Sequence, residues 1–257
     1  MSLLTINEIT KAFGGLVAAN AISFELPDGE LLAVIGPNGA GKTTLFNIIS
    51  GYYPPTSGQV SMNGRDITRL PQHRIASLGL VRTYQLAQPF RDLTVTENVQ
   101  VGFHLNTRGG ALSALLRPRW MREQERQGRA EAQHLLDFVG LGDQADTRAE
   151  ALTYGQQRLL EIARALAARP KLLLLDEPAA GLDNHETVAL AGIIQRINER
   201  GISVLLIEHD MSFVMNLARR IVVLDFGRVI AEGTPEEVKA HPDVIAAYLG
   251  GTEIVAA

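Results

Sequence analysis

The chain of 257 residues contains no cysteine. That excludes disulfides and thiolate metal sites, and it is compatible with a reducing compartment. No stretch of eighteen apolar residues occurs, so no segment reads as a membrane-spanning helix. A function at a membrane would need another chain to supply the span. The opening residues, Met1-Ser2-Leu3-Leu4-Thr5-Ile6-Asn7-Glu8, lack a basic segment and a long apolar run, so a signal peptide is not expected. There is no excess of positive charge: 24 Lys and Arg stand against 28 Asp and Glu, for a net charge of -4. Nucleic acid is therefore not expected as the main partner. Repeats of fixed period and low-complexity tracts are also missing, which excludes a solenoid. What remains is a chain 46% hydrophobic and 20% charged, enough for one large α/β domain or a core with a subdomain.

Leu3 to Ile9 and Ala21 to Leu26 alternate apolar and polar residues, as half-buried strands do. Gly14-Gly15 and Pro27-Asp28-Gly29 read as turns beside them, and Gln59 to Met62 runs into the hairpin pair Asn63-Gly64. These early strands are expected to form an antiparallel layer. Leu31 to Ile35, Leu172 to Leu175 and Val204 to Ile207 are short and apolar throughout, the pattern of parallel strands buried on both faces. From about Leu86 to Thr153 no such run occurs, and Ala130 to Val139 has apolar residues at helical spacing. The expected fold class is α/β: a mostly parallel buried sheet plus an N-terminal antiparallel layer over about 1–85 and 154–257. A helical subdomain is expected over about 86–153.

Between the first buried strand and an amphipathic run ending at Gly51 lies Gly36-Pro37-Asn38-Gly39-Ala40-Gly41-Lys42-Thr43-Thr44. This is a complete G-x-x-x-x-G-K-[ST] pattern in a strand–turn–helix context. Gly36, Gly39 and Gly41 let consecutive N–H groups turn toward an anion, and the helix starting near Lys42 adds its positive end. Lys42 can reach the β- and γ-phosphates of a nucleotide, and Thr43 can ligate Mg²⁺.

Lys171 to Pro178 is a second buried strand that delivers two carboxylates at its C-terminal edge, where ligands bind in open α/β sheets. Asp176 suits a water-mediated Mg²⁺ contact and Glu177 suits a general base; the bland alternative is two solvated carboxylates. Leu205 to Asp210 repeats the pattern and ends with His209, which could contact a γ-phosphate or the attacking water, or be plain polar edge. Leu152-Thr153-Tyr154-Gly155-Gln156-Gln157 opens a helix expected to reach about Ala168. Thr153 is a good N-cap, and this helix start either holds a second phosphate or is simply capped.

Together these motifs resemble the ATP-binding subunits of ABC transporters over nearly the whole chain. Gly36 to Thr43 is similar to Walker A, Leu172 to Glu177 to Walker B, and Ala180-Gly181-Leu182-Asp183 to the D-loop. His209 is similar to the switch histidine, and Gln85 to the Q-loop glutamine, a Mg²⁺ contact. Phe13 resembles the aromatic that stacks on adenine. Leu152 to Gln156 is similar to the signature motif, with Thr153 for the usual Ser and Tyr154 for the first Gly. Tyr154 fits there only if its side chain points away from the phosphate. Leu-x-Tyr-Gly-Gln, Ile207-Glu208-His209-Asp210-Met211 and the tail from Glu232 resemble one subgroup, the ATP-binding subunits of branched-chain amino-acid importers.

The resemblance implies an ATPase using ATP and Mg²⁺. It implies a second ATP-binding subunit, the same or different, meeting this one head to tail so that Thr153, Gly155, Gln156 and Asp183 face the partner's nucleotide. It also implies two transmembrane permease subunits, indirectly a solute-binding protein, and a peripheral place on the cytoplasmic membrane face. Three rivals stay open: a lipid- or lipopolysaccharide-export ATPase, a soluble ABC ATPase acting on ribosomes or DNA, and a nucleotide-binding scaffold without activity. The Arg-rich stretch from Arg108 to Arg129 lies against anionic headgroups or a membrane partner in one reading, and is a solvated helical flank in the other.

Overall fold

A computed structural model describes residues 2–83, 88–103 and 119–249. The chain divides into two units. One comprises residues 1–82, 171–180 and 194–257; the other comprises 83–170 and 181–193.

The first unit carries two sheets. The smaller is antiparallel, in the order β2-β1-β4-β5, from β1 (Ser2–Phe13), β2 (Leu16–Pro27), β4 (Ser57–Met62) and the short β5 (Arg65–Asp66). Both early strands run longer than their alternation suggested. The Asn63-Gly64 hairpin turn forms, both residues having positive φ. The larger sheet has the order β10-β9-β3-β8-β7-β6. Its members are β3 (Leu31–Ile35), β6 (Leu80–Arg82), β7 (Leu172–Asp176), β8 (Ser203–Ile207), β9 (Arg220–Asp225) and β10 (Arg228–Gly233). β10 alone is antiparallel to its neighbour.

The three expected buried strands are three adjacent interior strands of this sheet, β3, β8 and β7, and every residue in them is buried. The pleat explains the unbroken apolar runs. Leu32, Val34, Leu172, Leu174, Leu205 and Ile207 join a core with Leu45, Phe46 and Ile49 of α1 (Lys42–Ile49) and with the antiparallel layer. Their sequence neighbours face the other side of the sheet and are equally buried, so apolar residues fill both faces and polar ones, Ser203 and Asp176, come only at strand ends. Helices α2 (Gln72–Ser77), α7 (Met211–Leu217), α8 (Pro235–Ala240) and α9 (Pro242–Leu249) complete this unit.

The second unit is helical: α3 (Val95–Gly102), α4 (Arg119–Val139) and α5 (Tyr154–Ala167), with two 3₁₀ turns at Gly142–Gln144 and Ala149–Ala151. α3 starts with a capping box in which Thr94 accepts from the Glu97 N–H and Glu97 reaches back. Asn98 is fully buried in this unit and exchanges hydrogen bonds with the Phe90 backbone while donating to the Thr94 carbonyl. α5 packs on both α3 and α4, burying Leu160, Ile162 and Ala163. The helical grouping therefore extends to Pro170 and does not stop at the expected Thr153, because the apolar face of α5 has its partners in the helices before it. α6 (Asn184–Glu199) begins in this unit, and its last residues belong to the first. Of the Arg-rich stretch, residues 108–118 lie outside the described residues. No helix among the described residues is long and apolar enough to cross a membrane.

Candidate nucleotide site

The glycine-rich turn joins β3 to α1, and Gly36, Gly39 and Gly41 all have positive φ. Gly41, at φ 98, is the N-cap of α1, and a Cβ there would overlap the Ala18 carbonyl of β2. No side chain caps this helix, and no acidic residue lies in its first turn. The first helical hydrogen bond runs from the Leu45 N–H to the Gly41 carbonyl. The N–H groups of residues 42–44 thus precede the helical ladder and present an open positive end.

Lys42 is only 6% exposed. Its Nζ donates to the Gly36 carbonyl at 2.6 Å and the Pro37 carbonyl at 3.0 Å. Burial pulls its pKa below the usual lysine value, while the charges of Glu177 and Asp176 oppose that shift. Asp176, the last residue of β7, is buried and accepts from Arg82 at 2.7 Å. Glu177 follows in the left-handed region at φ 45, with its N–H bonded to the Ile207 carbonyl at the end of β8. That turn directs the carboxylate toward His209, whose Nδ1 is 3.8 Å from Glu177 Oε2.

His209 is 58% exposed, whereas Glu208 beside it is completely buried. Glu208 accepts from the Ala179 N–H at 2.8 Å and the His209 N–H at 3.0 Å, tying the loop after Glu177 to the loop that carries the histidine. Burial pushes the Glu208 carboxyl above its ordinary value despite these backbone bonds. Sequence reasoning missed Glu208 as a site residue. The available signal was a carboxylate directly after a wholly apolar strand, where it has to be buried.

Phe13 closes β1 and pairs with Leu16 of β2, two residues before the Ala18 that contacts Gly41. The register thus brings it toward the glycine-rich turn. Its ring is half exposed, edge-on to Tyr53 at 5.5 Å, with Lys11 Nζ 5.1 Å from its centroid.

In the helical unit, the expected signature residues form a second constellation. Thr153 accepts from the Gln156 N–H at 3.3 Å, and the Gln156 side chain accepts from the Thr153 N–H at 3.0 Å, a complete capping box on α5. Asp183 and Glu186 exchange the same pair of bonds at the start of α6. Gly155 lies against the Glu186 carboxylate, and a Cβ there would push that side-chain end aside. Tyr154 turns back onto Gly181 of its own chain, with the Arg158 guanidinium 5.4 Å from its ring. Its side chain is thereby accounted for within the unit. Gln85 lies outside the described residues.

A family model described as ABC transporter matches residues 19–180. This chain belongs to the ABC transporter family. It is an ATP-binding and ATP-hydrolysing cassette of the P-loop type. A second model, described as branched-chain amino acid ATP-binding cassette transporter, matches residues 228–254. Among curated proteins, the chain is 44% identical to the high-affinity branched-chain amino acid transport ATP-binding protein BraF of Pseudomonas aeruginosa, over 96% of this chain and 98% of the relative. A solved ATP-binding cassette of an ABC transporter in its ADP conformation superposes with a TM-score of 0.85. It is 33% identical, over 97% of this chain and 99% of that one. A dimeric cassette in a post-hydrolysis state, bound to ADP and Pi, gives 0.76 at 25% identity, over 90% and 98%.

Proposed function

We propose that this chain binds and hydrolyses ATP to power an importer of branched-chain amino acids or related polar solutes. The observation that carries the solute class is the C-terminal match over 228–254, supported by likeness to BraF along nearly its whole length. The partners in this reading are a second ATP-binding subunit, two transmembrane permease subunits and, through them, a solute-binding protein. The chain then works as a peripheral subunit at the cytoplasmic membrane face.

In the catalytic cycle, Phe13 stacks on adenine, and the N–H groups of the Gly36–Thr44 turn cradle the phosphates. Lys42 exchanges its two carbonyl partners for γ-phosphate oxygens. Among the described residues, no group of three or more His, Cys, Asp or Glu could hold a metal on its own. The Thr43 hydroxyl and one carboxylate, Asp176, instead suit Mg²⁺, which takes few protein ligands and completes its shell with water and phosphate. Gln85 belongs to the same set. Bound there, Mg²⁺ neutralises charge on the phosphate oxygens. Glu177 accepts a proton from the attacking water, and His209 holds the γ-phosphate in line. Thr153, Gly155, Gln156 and Asp183 serve the nucleotide of the partner subunit, and the solved dimeric cassette bound to ADP and Pi supports pairing of two such chains.

The test is reconstitution with the two permeases that co-purify with the tagged chain, followed by uptake of labelled leucine into vesicles. ATP-dependent uptake is expected. Lipid release without amino-acid uptake would move the chain to an export system.

A further inference from the structure

Arg82 is the last residue of the three-residue edge strand β6. In the parallel register it lies opposite Leu174, two positions before Asp176 on β7. Side chains two apart on a strand share a face, so Arg82 and Asp176 meet on the side of the sheet covered by α1. The ion pair is 94% buried on both sides, with Arg82 Nη2 2.7 Å from Asp176 Oδ2. The other arm of the fork, Nη1, donates to Asn47 Oδ1 at 2.8 Å and Ser50 Oγ at 2.9 Å. Phe46 lies under the guanidinium at 5.7 Å. Asn47 belongs to the helix whose first turn carries Lys42 and Thr43, and Ser50 caps its C-terminal end.

We infer that Arg82 is a positioning residue for the Mg²⁺ site. It locks the Asp176 carboxylate to the nucleotide-binding helix, engaging Oδ2 and leaving Oδ1 for a metal-bound water. This rests on the reading above in which Asp176 serves Mg²⁺. The planar fork is what allows it: one rigid group meets a carboxylate, an amide oxygen and a hydroxyl at once, which an ammonium on a flexible stem cannot do. Carboxylates that serve metals are commonly held by such outer hydrogen bonds, and their loss costs roughly 10–100-fold in metal affinity or activity.

The measurement is the affinity of the full chain for a non-hydrolysable fluorescent ATP analogue, with Mg²⁺ and with EDTA. Arg82→Met should lower the Mg²⁺-to-EDTA affinity ratio by roughly tenfold or more, with little change in EDTA. Arg82→Lys should recover part of it. A purely structural role would lower the melting temperature and leave the ratio unchanged, which would overturn the inference. A ratio that rises would also overturn it, because the guanidinium would then only repel the cation. Should Arg82→Met fail to fold, Asn47→Ala and Ser50→Ala loosen the same anchor, and each should give a smaller fall in the ratio. Asp176→Asn is the control. If it leaves the ratio intact, the assignment of Asp176 to Mg²⁺ has failed; if it collapses the ratio while the Arg82 and anchor variants do not, only the role of Arg82 has.

Discussion

Two helix starts in this molecule are both candidate phosphate sites in sequence, and they differ in structure. α1 begins at Gly41 with no side-chain cap, so its first N–H groups await an outside anion. α5 begins at Thr153 with both halves of a capping box made, so its own side chains already occupy part of that role. In the proposed reading, the difference separates a self-sufficient phosphate site from one that adds to a nucleotide held elsewhere. Lysine, two carboxylates and a histidine accompany the open end. The capped end has hydroxyl, glycine and amide groups instead, and its glycine lies against the Glu186 carboxylate.

The sharpest way to break the comparison is Glu177→Gln. Losing a general base should lower ATP turnover by about 10²–10⁴-fold while ATP affinity is kept, because binding belongs to the open helix end and not to this carboxylate. Near-normal turnover in a steady-state phosphate-release assay would sink the assignment of Glu177.

A smaller effect is expected at the capped end. Thr153→Ala removes the hydroxyl half of the box and should cost about 1 kcal/mol of stability, or about 2–4 °C in melting temperature for a chain of this size. Thr153→Ser should restore it. If thermal melts show no loss, the cap contributes nothing, and the contrast between the two helix starts disappears.

The smallest effect concerns Glu208, which ties together the two loops behind the open site. Burial raises its carboxyl above the usual 4.5. The folded protein therefore keeps a proton where the unfolded chain has released it. The stability contributed this way is fully present below 4.5 and is lost as pH rises through the raised folded value. Melting temperatures of the parent and Glu208→Gln, compared from about pH 4 to about pH 8, should diverge across that window and run parallel above it. Curves that stay parallel throughout would remove the buried carboxylate as the cause.

Much of the fold was legible because it is written in contiguous residues. Leu31 to Ile35, Leu172 to Leu175 and Val204 to Ile207 announce burial on both faces. The G-x-x-x-x-G-K-T run announces an anion turn, and Thr153 with Gln156 announces a capped helix. β6 was not legible, since three residues carry no measurable period. β9 and β10 were missed as well, although Ile221 to Leu224 is a buried run of the same kind. The boundary of the helical unit was set too early, because the partner of an apolar helix face cannot be read from the face itself.

The sequence by itself determined the chemistry available: an anion-binding turn, a lysine, two adjacent carboxylates, a histidine and the capped helix. Short-range geometry is enough for that, because turns, caps and strand alternation act over a few residues. Only the tertiary structure decided which of these groups meet and what holds them. Arg82 reaches Asp176 across 94 positions, and Glu208 reaches Ala179 across 29. A buried polar or charged group must find its partner wherever the sheet order delivers one, and the cost of leaving it unpaired makes those distant pairings specific.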